Sequence, residues 1–177
     1  MVKIFVLFNL FFSCSSFAAY YVGLQNNSWQ DAIPVTYLDS GNGQRVTFYA
    51  LTTFSTVSLT GGYDGLYATR WRYAADISLH TGTADLLKIQ GTVSPRKTIT
   101  SQWVSGKINY RISKTFSLGP QLVVNSIQVP DSGRATSLGL LINSEVEMFE
   151  NLRFIQTFGT MNDSGTIAYT IGIQKLF

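Results

Sequence analysis

One cysteine, one histidine and 13% charged residues are all that this chain of 177 holds of those types, and each scarcity removes a class of function. A lone thiol forms no internal disulfide, and neither a paired-cysteine motif nor a Cys/His spacing for a structural metal is present. One histidine leaves general-base or triad chemistry a single place to stand. The charged fraction is about half that of a typical soluble domain. With 13 basic against 10 acidic side chains, the balance implies no nucleic-acid partner. No segment is apolar for long enough to cross a bilayer of about 30 Å as a helix, the run from Ile4 to Phe12 included.

That run has another reading. Lys3 precedes it, and Ser16-Phe17-Ala18 follows with the small-x-small pattern of a signal-peptidase site, so residues 1–18 read as a signal peptide and Ala19 as the mature start. Residues 19–177 then form one domain, and the only cysteine, Cys14, is discarded. The alternative is a lipoprotein-like cut at Phe11-Phe12-Ser13-Cys14 that leaves Cys14 to carry lipid, although Phe11 stands where leucine is usual.

What the chain has in abundance is alternation. From Ile167 to Phe177, apolar side chains at Ile167, Tyr169, Ile171, Ile173 and Phe177 interleave with Thr170, Gly172 and Gln174. Side chains on a strand point alternately to its two faces, so this spacing makes one greasy face and one small or polar face. The same logic runs through residues 66–80. There Tyr67, Trp71, Tyr73, Ala75, Ile77 and Leu79 share one side, and Arg70, Arg72, Asp76, Ser78 and His80 the other. In residues 134–148, Leu138, Leu140, Ile142, Val146 and Met148 oppose Ser137, Gly139, Asn143, Glu145 and Glu147. A soluble sheet does not enclose its charged face. A barrel wall standing in lipid does.

Turn-like residues at 52–53, 61–65, 81–83, 94–97, 113–114, 130–133, 149–151 and 162–165, with the longer loop at 29–43, divide the chain into ten expected strands of an all-β, up-and-down antiparallel transmembrane β-barrel. An even count returns both termini to the same side. Eight strands is the competing count, with 44–60 as one bulged strand and the N-terminal segment outside the wall. Trp103, Val123, Leu141 and Ile155 break the pattern by falling on the inward face, which signals either a packed lumen or a bulge that shifts the phase.

On these residues the chain resembles the small outer-membrane β-barrel proteins of Gram-negative bacteria, the class that includes OmpA-type and OmpX-type barrels. The resemblance implies an outer-membrane location, contact with its lipids, and recognition of the terminal strand (Tyr169, Ile171, Ile173, Phe177) by the barrel-insertion machinery. Lys175 departs from that signal, which usually carries an aromatic there; so close to the end it can snorkel to the headgroups.

Placing the termini on the inner side puts outer loops at 29–43, 61–65, 94–97, 129–133 and 162–165. Only the first is long, and Trp29, Asp31, Tyr37 and Asp39 make it the candidate for outside contact. His80 is expected at the periplasmic rim, about 13 Å along the strand from Asp76 and too far for a direct dyad. Hence no catalytic residue, cofactor or metal is assigned. Arg70, Arg72, Lys88, Lys107, Arg111 and Arg153 are expected in the lumen with Asp76, Glu145 and Glu147, cations exceeding anions by three. Charges of both signs so enclosed should pair. The expectation is therefore a non-enzymatic barrel plugged by its own side chains, with an envelope role. The alternatives are a narrow pore for ions or small solutes, mildly favouring anions, and an outer-leaflet lipid-modifying enzyme.

Overall fold

The computed structural model describes residues 18–38, 41, 43–66, 69–86, 97–129, 133–162 and 166–177. The expected leader up to residue 17, Cys14 included, lies outside these residues, as do Asp39, Tyr67 and Lys88. Eight strands form: β1 (Ala18–Leu38), β2 (Arg45–Leu66), β3 (Trp71–Leu86), β4 (Lys97–Arg111), β5 (Phe116–Val129), β6 (Gly133–Phe149), β7 (Leu152–Met161) and β8 (Thr166–Leu176). Each pairs antiparallel with the next, and β8 returns to β1 to close the barrel. Closure leaves no sheet edge through the wall, so every backbone group there finds its partner without water.

The count is eight rather than ten because two expected turns are strand. Thr52-Thr53 lies within β2, and Thr81-Gly82-Thr83 within β3. A Cβ on Gly82 would strike the backbone of Ser55 and Thr56 across the ladder, so this glycine marks a close approach of two strands and not a reversal. The N-terminal segment belongs to the wall, contrary to the eight-strand alternative, and no slip interrupts the β1–β2 register. The change of phase read near Phe54 comes from Phe54 itself, an apolar residue on the inward face and fully buried. A register shift does occur in the β6–β7 ladder, between Glu147 and Phe149. Asn151 follows it with φ 65°, a left-handed turn that asparagine tolerates.

Two expected loops are also corrected. Residues 29–38 continue β1, and 61–65 end β2 at the side of the termini. The inward face there carries Gly62, where a Cβ would meet the ring of Tyr21; the glycine is room for a tyrosine. β1 and β2 are far longer than the 9–11 residues that cross a bilayer, and β1 pairs with β8 only from Tyr21 to Trp29. Beyond that height, among the described residues, Gln30–Leu38 pairs with β2 alone, as a hairpin on the side away from the termini, here called the outer side.

The polarity is inside out. Leu24, Leu59, Ile77, Leu79, Leu140 and Ile142 are each more than half exposed on the outer wall, while Asn27, Asp76, Lys107, Glu145 and Gln174 are buried within. Trp71 faces outward, edge-on to Tyr110 at 5.1 Å, and Tyr20 meets Tyr63 at 5.8 Å near the terminal rim. Aromatic rings at the edge of an apolar band suit the level of lipid headgroups.

Candidate functional site

The lumen is the only place where charged and polar side chains converge among the described residues, and it is built in three levels. Strand alternation sets which residues enter it; their height along the strands sets the level.

At the terminal end lies an ion network. Asp64 Oδ2 accepts from Arg72 Nη2 at 2.5 Å and from Arg153 Nη1. Arg72 Nη1 also donates to Glu147 Oε1 at 3.0 Å, and Arg153 Nε stands 3.5 Å from that oxygen. Lys107 Nζ pairs with Glu145 Oε1 at 2.6 Å, with Arg153 Nη1 3.6 Å from Glu145 Oε2. Arg111 reaches Glu147 Oε2 only at 3.7 Å and donates instead to the Lys114 carbonyl at 2.7 Å. The second carboxylate centre is Asp76, which accepts from Tyr21 Oη and from Ser105 Oγ, each at 2.6 Å. Lys107 Nζ also sits 5.5 Å from the Tyr21 ring centroid. Ionised groups this deep persist only when paired and hydrogen-bonded, and here strands from around the whole barrel supply the partners.

Most expected lumen charges belong to this network: Arg72, Asp76, Lys107, Arg111, Glu145, Glu147 and Arg153. Arg70 does not. It is exposed at the β2–β3 turn, where its guanidinium donates to Tyr110 Oη at 2.9 Å. Lys88 falls outside the described residues. Asp64, assigned by its glycine-rich surroundings to a loop, is the hub instead. With these changes the network holds Arg72, Lys107, Arg111 and Arg153 against Asp64, Asp76, Glu145 and Glu147, four of each sign. The expected cationic excess of three is thereby overturned for the described residues.

Uncharged polar groups fill the middle. Asn27 joins three strands, donating to Ser58 Oγ at 3.0 Å and accepting from Thr170 Oγ1 at 2.9 Å. Thr60 meets Ser78 at 2.7 Å, and Ser101 donates to Asn125 at 2.7 Å. A void of about 10 Å³ lies here beside Gln121, Asn143, Thr157 and Gln174. That is space for about one water, not for a conduit.

The outer level is apolar and packed. Trp29, Phe54, Trp103, Val123, Ile127, Leu141 and Met161 are all at most 3% exposed and form one cluster with Ala84, Ile99 and Ala168. Trp29 stacks on Phe54 at 5.0 Å and meets Trp103 edge-on at 5.1 Å. The inward Trp103, Val123, Leu141 and Ile155 are therefore a packed lumen and not a sign of shifted phase.

Trp29 and Asp31 are accordingly not an outer contact surface. Trp29 is the centre of the plug, and the buried Asp31 accepts from Asn162 Nδ2 at 2.7 Å, tying β1 to the turn after β7. Tyr37 is a strand residue opposite Val46. His80 is neither at a rim nor on a strand running toward the termini. It lies on β3 inside the barrel, beside both Trp29 and Trp103, with its Nδ1 3.2 Å from Thr56 Oγ1. Among the described residues no three His, Cys, Asp or Glu side chains are placed to hold a metal ion.

On the terminal strand, Ile167, Tyr169, Ile173 and Phe177 face outward as expected, Ile171 is half-buried, and Lys175 lies 5.8 Å from the Phe177 ring.

No family model matches the chain, and no curated protein sequence does. Among solved structures it aligns with Ail, the attachment invasion locus protein of Yersinia pestis, at 11% identity and TM-score 0.47, covering 90% of this chain and 97% of that one. Neisserial surface protein A aligns at 15% identity and TM-score 0.48, with 92% and 100% covered. The outer membrane protein OprG of Pseudomonas aeruginosa aligns at 16% and 0.46, with 90% and 96% covered. Strand count, closure and inverted polarity rest on this chain's own ladders and burial. By those three properties the chain is an eight-stranded transmembrane β-barrel.

Proposed function

We propose that this protein is a structural, non-enzymatic element of the bacterial outer membrane whose lumen is closed by its own side chains. The observation that carries the reading is the outer plug: Trp29, in contact with both Phe54 and Trp103, centres a cluster of ten buried residues, and the polar level beside it holds a void of only about 10 Å³. Eight strands leave an interior just wide enough for side chains, whereas aqueous channels belong to barrels about twice that size. Balanced charge in the network also removes the electrostatic reason for an anion-favouring path.

The absence of enzymatic activity is part of the same reading. His80 is walled in by Trp29 and Trp103 and has a threonine, not a carboxylate, to orient it, so a lipid substrate has no route to it. The test is conductance of the refolded protein in planar bilayers. No steady openings are expected, and Trp29→Ala combined with Phe54→Ala should create them. Steady openings of the parent protein would overturn the proposal in favour of a narrow pore.

A further inference from the structure

The terminal mouth carries an imbalance that the network as a whole conceals. Three guanidinium groups, Arg72, Arg111 and Arg153, share two carboxylates there, Asp64 and Glu147. The next carboxylate inward, Glu145, is engaged at 2.6 Å by Lys107, and Arg153 stands 3.6 Å from it. All five mouth groups line one pocket of about 260 Å³, floored by them and flanked by Ala19, Leu66 and Leu176.

The donors in the pocket are incompletely used. Arg153 is 5% exposed, yet its Nε has no hydrogen-bond acceptor, the nearest carboxylate oxygen lying 3.5 Å away. Arg111 is about one-third exposed; its Nη2 donates to the Lys114 carbonyl and stands 3.7 Å from Glu147, too far for a hydrogen bond, which leaves its other side-chain N–H groups for a ligand. We infer that the terminal mouth is a binding site for a small soluble oxyanion, a phosphate or a carboxylate, held between Arg111 and Arg153. A planar guanidinium presents paired N–H donors that match two oxygens of such a group, and these charge-assisted bonds are stronger than neutral ones. A ligand of one or two negative charges offsets the one uncompensated cation. The charged lining faces inward from the strands, so a ligand held there lies within the ring of the barrel and not against its lipid-facing wall. This inference goes beyond the closed-lumen reading, because it needs no path through the barrel.

The test is a titration of the full refolded chain, isotope-labelled at arginine, in a phosphate-free maltoside detergent. Inorganic phosphate is the probe, and the Nε–Hε resonances of Arg153 and Arg111 are the readout. Saturable displacement of both is expected. Arg111→Gln weakens the apparent Kd about tenfold or more, the scale of one charge-assisted hydrogen bond. Glu147→Gln, which frees a guanidinium, strengthens it. Arg134→Gln, far away beside Ser126 near the other end of the barrel, leaves it unchanged. Linear, non-saturating displacement overturns the inference, as does equal binding by Arg111→Gln. A second arm replaces phosphate with phosphatidylglycerol vesicles; displacement there and none with free phosphate overturns the soluble ligand. The parent titration decides the matter by itself if a variant fails to refold.

Discussion

Two halves of one lumen, lined by the same eight strands, are filled in opposite ways. Toward the termini the inward positions are Asp64, Arg72, Lys107, Glu145 and Arg153, paired at close range beside an open pocket. Toward the outer side they are Trp29, Phe54, Trp103, Val123 and Leu141, dry and stacked. The difference teaches that the inward face of a small barrel need not be polar throughout. A charged cluster suits the end where a pocket of about 260 Å³ stays open, since hydration offsets part of the desolvation cost. Aromatic and aliphatic packing suits the end that must be sealed, because close-packed rings and branched chains exclude water, although the buried indole N–H groups of Trp29 and Trp103 find no acceptor there.

If the halves differ in this way, they should fail differently. Asp64→Ala strands two guanidinium groups around one lost acceptor and is expected to cost the most, about 3–5 kcal/mol, read from urea unfolding in lipid vesicles. Replacing the neighbouring pair together, Lys107→Met with Glu145→Leu, is expected to cost much less than either change alone, since neither partner is left charged opposite the other's missing group. A double-mutant cycle in the same unfolding assay measures that coupling. In the dry half, Leu141→Ala leaves a cavity and should cost about 2–4 kcal/mol, with no dependence on ionic strength. Gly62→Ala tests the junction between wall and network, since its methyl group displaces the Tyr21 ring from Asp76. A cost of about 1–3 kcal/mol is expected, with a change in tyrosine fluorescence. Arg70→Gln, at the exposed turn, should leave the unfolding midpoint where it is; a loss there would return Arg70 to the network.

The wall was legible in the sequence because strand alternation is local. Tyr169 and Ile173, or Ile77 and Leu79, declare their face from two or three neighbours, and the faces of the expected strands from 98 onward match the structure. Strand number was harder. Glycine and threonine clusters at 81–83 and 61–65 have the composition of turns, and only the facing strand shows that Gly82 and Gly62 are there for close contact. The same ambiguity hid Asp64, the hub of the network. Tyr21 was within reach, because the outward Tyr20 and Val22 leave it no other side. Trp29 was not: it stands on the inward parity, but a tryptophan before Asp31 and Pro34 resembles loop composition, and its partners Phe54 and Trp103 are distant in sequence. The charge count in the lumen likewise depended on one misplaced turn: moving Arg70 out and Asp64 in lowers the expected excess from three to one, and the last cation of that count, Lys88, lies outside the described residues.

The seam between β1 and β8 joins the first described strand to the last, from Tyr21 opposite Leu176 to Trp29 opposite Ala168. Every other ladder links neighbours in the chain, so those hairpins can form as soon as both strands exist. This one cannot zip until β8 has been made, and its loop-closure entropy is the largest among the eight ladders. Until then the half-made cylinder exposes two raw edges. Asn27 and Asp31, which reach across the seam to Thr170 and to the turn at Asn162, act as its clasp.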